Sequence, residues 1–208
     1  MAKLPRIRGP EALADIKPEW RVVPIGTALF RIYKRGGDHP TRWDEFRYYG
    51  PTGSRFDHHL EPPHVQSRRV LYAARRIETP LGEFFQTRRT IDVRQDVPWL
   101  VGFRLARPVR LLNVRGRWST RAGASTALNS GSRALARRYA RAIYEVYAAA
   151  QGIWYGSSMD ANAPCVALFE RAAGSFAAHP AFHHALADPL LFPLLDRCAR
   201  AFNYALVL

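Results

Sequence analysis

The chain has 208 residues, of which 48% are hydrophobic and 12% aromatic, enough apolar material for one sizeable core and too little for two independent ones. There is no run of 18 or more apolar residues, and the first 25 residues lack the apolar centre of a signal peptide, so the expectation is a soluble, cytoplasmic chain with no membrane segment. The formal net charge is +14, yet only Lys3, Lys17 and Lys34 are lysines, and the 28 arginines are scattered in pairs such as Arg68/Arg69 and Arg137/Arg138 rather than gathered into the dense run that a nucleic-acid tract would need.

From the N-terminus, Ala28 to Tyr33 alternate apolar with other residues before a Gly36-Gly37 break, which predicts a short strand with Arg31 near its middle. The turn formers Gly50, Pro51, Thr52 and Gly53 then reverse the chain and present Ser54, Arg55 and Phe56 at the start of a strand. Residues 69–74 read as another strand. Thr79-Pro80 opens a helix, with threonine as N-cap and proline at the first helical position. Leu81, Phe84, Phe85 and Arg88 follow helical spacing, and Glu83, in the first turn, falls nearly opposite the apolar face, so it does not read as core filler.

Trp99 to Val114 read as two strands broken near Arg107-Pro108. Ser132 to Ala150 form a longer helix with an inner stripe of Leu135, Tyr139, Ala142, Ile143, Val146 and Ala150, stopped by Gly152. GIWYGSS and CVALFE are two more strands, and the tail from His179 to Leu208 reads as helical with breaks at Pro189 and Pro193. This irregular alternation predicts an α+β fold, a compact mixed sheet with flanking helices, and excludes a doubly wound one. Cys165 and Cys198 sit in apolar stretches and are expected as reduced core residues.

The sequence contains no Walker phosphate loop, G-x-G-x-x-G, HExxH or G-x-S-x-G. His179 and His183 are four apart, and His58, His59 and His64 cluster loosely, but neither set has a Cys or carboxylate partner at a recognised ligand spacing, so no metal site is expected. What remains is dispersed: Arg31, Arg55, Tyr72, Glu83 and Ser157. Each alone has an ordinary structural use, as a surface ion pair, a core aromatic, an answer to a helix dipole or a strand-end hydroxyl.

Together, in LFRIY (Arg31), GSRFD (Arg55), VLYAA (Tyr72), TPLGEFF (Glu83) and GIWYGSS followed by CVALFE (Ser157), they resemble the RES domain, a bacterial toxin family named for its arginine, glutamate and serine. The resemblance divides the chain into a basic N-terminal extension (1–28), a catalytic domain (29–171) and a C-terminal helical extension (172–208) packed on the same domain. It implies an ADP-ribosyltransferase-like fold and an enzyme that degrades NAD, with water or inorganic phosphate receiving the ADP-ribosyl group and a protein side chain as the less frequent acceptor. On this reading Glu83 and Arg31 are catalytic, and Arg55, Tyr72, Ser157 and Tyr33 bind substrate, with Tyr49 as a further wall. NAD is substrate, and no cofactor is needed.

The partner implied is an antitoxin carrying a helix-turn-helix, which would hold any DNA contact, and a homo-oligomer within that complex is compatible with the family. The competing expectation is a basic nucleic-acid-binding module without catalysis, suggested by the +14 charge and the arginine pairs near Tyr48, Tyr49, Trp118 and Tyr139.

Overall fold

The computed structural model describes residues 11–208, so the first ten residues of the expected 1–28 extension lie outside it. The strands are β1 (Trp20–Val23), β2 (Ala28–Lys34), β3 (Arg47–Gly50), β4 (His64–Ala74), β5 (Thr90–Asp92), β6 (Pro98–Arg104), β7 (Val109–Asn113), β8 (Gly152–Gly156), β9 (Pro164–Phe169), β10 (Phe182–Ala185) and β11 (Ala205–Val207). The helices are α1 (Glu11–Ala14), α2 (Thr79–Phe84), α3 (Trp118–Arg121), α4 (Ala127–Ser130), α5 (Arg133–Val146) and α6 (Phe192–Phe202). The main sheet runs β1-β7-β8-β9-β4-β2-β6-β10, with β3 beside β4, and a parallel β5–β11 pair stands apart. Among the described residues only β7–β8 is parallel within the main sheet, so the fold is a mixed α+β one, as the alternation of elements predicts.

Central strands β8 and β9 carry near-continuous apolar runs because helices or loops cover both their faces. Ile153, Cys165, Ala167 and Phe169 pack under α5 with Tyr139 and Ile143, while Trp154, Val166 and Leu168 join Leu29, Val101 and Phe103 on the other face. A third cluster joins Ile32 and Leu100 to Leu81 of α2 and Leu195 of α6. Helix α5 begins as its sequence predicts, with Ser132 Oγ accepting from Leu135 N at 3.3 Å. It ends at Val146 rather than Ala150, and Gly152 opens β8 instead of stopping the helix.

Three other expectations change. Glu78, not Thr79, is the N-cap of α2; Thr79 is helical and its hydroxyl donates to Asp160 Oδ2 at 2.6 Å, so the helix start is fixed by a tertiary contact. The tail is not wholly helical: Phe182–Ala185 pair with β6 as an antiparallel edge strand, which also places His183 on a strand and removes the helical face it was expected to share with His179. No strand begins at Ser54; residues 51–63 form a long irregular loop between β3 and β4.

That loop is held by a buried carboxylate. Asp57, His58 and His59 are each fully buried. Asp57 Oδ2 accepts from Arg47 Nη2 at 2.8 Å and Thr52 N at 2.7 Å, while Oδ1 accepts from His59 Nδ1 at 2.5 Å. Burial alone would raise the Asp57 carboxyl, but His59, the Arg47 charge and the Thr52 N–H together hold it well below the usual carboxylate range. His58 packs in tilted contacts on Phe169 and Tyr144, with ring centroids 4.4 and 4.5 Å apart, its Nε2 lying 3.6 Å from Glu170 Oε2. Burial pushes the imidazole down, partly offset by Glu170, and Glu170 itself is held at about 2: burial would raise it, but His58, the Tyr144 hydroxyl and the Arg69 N–H outweigh that.

All three groups resist, when folded, protons that the unfolded chain accepts, so stability falls as pH falls. Unfolding free energy measured in denaturant at a series of pH values is expected to be highest above about 6.5, the ordinary histidine value. It should decline below that and fall further through the carboxylate range toward Glu170's value of about 2. Asp57→Ala, which strands the Arg47 charge and the His59 ring, is expected to cost about 3 kcal/mol at neutral pH and to flatten the acid limb.

Candidate functional site

Strand β2 is fully paired with β6 from Ala28 to Lys34, and β4 with β9 from Val70 to Ala74, yet β2 and β4 share a single register pair, Phe30↔Ala74. The two strands therefore diverge, and a cavity of about 530 Å³ opens at the fork, within the usual range for small-ligand sites. Arg31, Tyr33, Arg55, Tyr72 and Glu83 all line it, although the first and last stand 52 positions apart in the chain.

Each of these side chains arrives by a different local device. On β2, alternation sends Ile32 to the α2 side and Arg31 to the other, and at the fork both line the cavity. Its Nη1 donates to the Trp43 and Glu45 carbonyls at 3.0 and 3.2 Å, and its buried Nε has no partner among the described residues. Burial pulls the guanidinium down to about 10, with Tyr33, Asp44 and Glu45 pulling the other way, so it stays charged at neutral pH. Arg55 reaches the cavity from the 51–63 loop, where Phe56, at φ +59° and fully buried, packs on Tyr155 with ring centroids 4.9 Å apart. Arg55 Nη1 donates to the carbonyls of Leu128 (3.0 Å) and Gly131 (2.9 Å).

Tyr72, on β4, has a buried hydroxyl without a hydrogen-bond partner among the described residues. Burial, with Asp57 nearby, pushes its phenol far above the ordinary value, so it is a permanent donor. Tyr33 turns its hydroxyl away, to His183 Nε2 at 2.6 Å, and presents its ring beside Arg31, whose guanidinium carbon lies 5.7 Å from the ring centroid. Tyr49 is half exposed on β3 and does not line the cavity.

Glu83 is not in the first turn of its helix, as its distance from Thr79-Pro80 suggested. Helix α2 has only six residues and Glu83 is the fifth, so the dipole at the helix start does not act on it. What fixes the carboxylate is tertiary: Ser157 Oγ donates to Oε1 at 2.6 Å, Ser158 N donates to the same oxygen at 3.1 Å, and Gln86 Nε2 approaches Oε2 at 3.3 Å. Ser157 is thereby moved from its expected place. It is 3% exposed and sits behind Glu83, its oxygen also accepting from Met159 N and Asp160 N at 3.1 and 3.0 Å, while Ser158 is the serine on the cavity wall. Both serines lie past the end of β8 at Gly156, so the division is set by the turn that follows, in which Ser157 Oγ takes the Met159 and Asp160 N–H groups, and not by strand alternation.

Gln86, Arg133 and the Arg47–Asp57 anchor also belong to this region and were not singled out in the sequence. Gln86 stands three residues after Glu83, a spacing that would have flagged it; Arg133 follows the cap Ser132 and carries no local signal. Cys165 and Cys198 are free and buried. Among the described residues, no group of three or more His, Cys, Asp or Glu is arranged to hold a metal ion, and no helix is long and apolar enough to cross a membrane.

A chain of the crystal structure of the M. tuberculosis MbcT–MbcA toxin–antitoxin complex has a similar fold, with a TM-score of 0.57 and 14% sequence identity, over 86% of this chain and 92% of that one. A comparison with curated proteins gives no match. The family model of the RES domain matches residues 28–192, from the first residue of β2 to the first of α6, past the boundary at 171 expected from the sequence. With both strands of the fork, α2 and Ser157 inside that match, the chain belongs to the RES domain family.

Proposed function

We propose that this protein is an NAD-degrading toxin of a toxin–antitoxin system, cleaving the bond between nicotinamide and ribose and passing the ADP-ribosyl group to water or inorganic phosphate. The observation that carries this reading is the convergence of Arg31, Arg55, Tyr72 and Glu83 on a single cavity. A dinucleotide offers the complementary set: a diphosphate for the cations, ribose hydroxyls for donors and acceptors, and a glycosidic carbon that becomes positive as its bond breaks.

In NAD the nicotinamide nitrogen is already cationic, so the C1′–N1 bond breaks with its electron pair going to that nitrogen and no proton is needed to expel the leaving group. The demand falls on the oxocarbenium-like ribose left behind, which a fixed carboxylate stabilises. Glu83 serves here, with Oε1 occupied by two donors and Oε2 facing only the weaker Gln86 contact. Ser157 is then a positioning residue, holding the carboxylate in one rotamer rather than touching the nicotinamide. Arg31 and Arg55 meet the diphosphate, each keeping donors unspent after its carbonyl contacts. The Tyr72 hydroxyl gains its missing partner from a ribose or phosphate oxygen, which relieves a buried unsatisfied donor.

Two further observations favour the toxin setting: the likeness of fold to a chain of a toxin–antitoxin complex, and the +14 charge, which suits docking of an acidic segment of an antitoxin whose helix-turn-helix makes the DNA contact. The site of action would be the cytoplasm, where NAD is available.

Incubating the purified protein with NAD, with and without inorganic phosphate, and following free nicotinamide tests the reading; release in either condition supports it, and none in both removes it. Glu83→Gln keeps the shape but loses the charge, and is expected to lower kcat by roughly 100- to 1,000-fold. Ser157→Ala removes one charge-assisted hydrogen bond and should lower kcat by roughly 10- to 100-fold. Ser158→Ala keeps the backbone donor to Glu83 and should fall less than Ser157→Ala; the reverse ranking would contradict the geometry.

A further inference from the structure

The mouth of the cavity holds another guanidinium. Arg133, the first residue of α5, is exposed and lines the cavity with Arg55. Its Nη2 donates to Gln86 Oε1 at 2.7 Å and its Nη1 to the Gly53 carbonyl at 3.4 Å. Gln86 turns its amide nitrogen the other way, to the Glu83 carbonyl at 2.7 Å and to Oε2 at 3.3 Å. One side-chain amide thus joins the cation to the carboxylate, with acceptor and donor ends each fixed by what they face.

Arg55 and Arg133 also bind each other's segments. Arg55, from the 51–63 loop, clamps the Leu128 and Gly131 carbonyls just before α5, and Arg133, from α5, returns to Gly53 in that loop. Neither arginine forms an ion pair among the described residues, in contrast to Arg47, which Asp57 neutralises. Their anchors are neutral. Two positive groups on one wall repel, and after burial the Arg133 charge is the next cause that lowers the Arg55 pKa. Such a pair, fixed by carbonyls and an amide and with neither member in an ion pair, is complementary to an anion with oxygens on adjacent centres.

We propose that Arg133 is a further substrate-binding residue, gripping a diphosphate jointly with Arg55, and that Gln86 is the positioning residue that sets this grip at a fixed distance from Glu83. This rests on the dinucleotide reading above, but the anion site can be tested without turnover. Isothermal titration of inorganic diphosphate into the full chain is expected to show binding that Arg133→Gln weakens roughly tenfold or more and Arg133→Lys weakens less, because lysine keeps the charge and loses the fork. Arg138→Gln, an equal loss of charge on the outer side of α5, is the control and is expected to bind as the wild type does. Unchanged melting temperature shows that each variant is folded.

Absence of diphosphate binding by the wild type, or equal loss in Arg133→Gln and Arg138→Gln, overturns the proposal. In NAD turnover, Arg133→Gln should raise KM with a smaller change in kcat, and Gln86→Ala should lower kcat more than it raises KM. Nicotinamide release with an unchanged KM in Arg133→Gln sinks the inference and leaves the NAD reading standing; diphosphate binding that depends on Arg133, without any nicotinamide release, does the opposite.

Discussion

A continuous β-sheet has no room for a ligand between strands about 4.8 Å apart, so the site depends on one interrupted ladder. Strand β2 is locked on its outer edge by seven register pairs with β6, and β4 by five with β9, while between them only Phe30 faces Ala74. Both strands are therefore rigid where they point away from each other and free only where they diverge. The edge of β2 opened this way still needs hydrogen-bond partners, and the Lys34 carbonyl finds one in the N–H of Thr41 at 2.8 Å. The same loop goes on to supply the Trp43 and Glu45 carbonyls that hold Arg31. The fork thus recruits the segment that orients its own cation.

The three charged groups on which the site is built are anchored by neutral partners. Arg31 and Arg55 rest on backbone carbonyls, and Glu83 on a hydroxyl, a backbone N–H and an amide. Carboxylate partners would fix a guanidinium equally well but would cancel the field that an anionic ligand meets. Carbonyl anchors fix direction and leave the charge. Arg47, on the same cavity wall, shows the other solution: it is paired with the fully buried Asp57, and its charge is neutralised there.

How much of this the sequence carried depends on the range of the interactions. Arg31 and Tyr72 were legible because strand alternation is local, and the start of α5 was legible because Ser132 caps it through a contact three residues away. Glu83 stood out as a polar residue off the apolar face, but its setting was misread: α2 stops after six residues, and the groups that hold the carboxylate lie 74 and 75 positions away in Ser157 and Ser158. No periodicity encodes such a pairing. FHHA of β10 has no clear strand pattern and becomes one only by pairing with β6, a case of tertiary context overriding weak local preference. The GSRFD stretch announced a turn and an arginine, whereas the need for Asp57 to be buried appears only when Arg47 and His59 are seen around it.

The arginine excess takes on a different meaning in this light. A chain with 28 arginines and 3 lysines could owe the bias to a polyanionic partner, yet many of these side chains are used inside the fold. Arg75 bonds the Ala28 carbonyl, Arg104 that of Gly26, and Arg68 that of His58, each tying a strand to a distant loop or strand end. Arg171 lies 3.9 Å from the Tyr144 ring centroid while donating to three carbonyls, and Arg35 lies 4.2 Å from that of Trp99. Lysine can do neither job as well, since an ammonium has no planar face to stack and no fork to span two carbonyls. With so many irregular connections between short strands, backbone carbonyls need donors that secondary structure does not supply, and arginine reaches them, in Arg75, Arg104 and Arg171 without an ion pair among the described residues. The net charge is in large part the residue of that structural use, and the cavity draws its cations from the same repertoire.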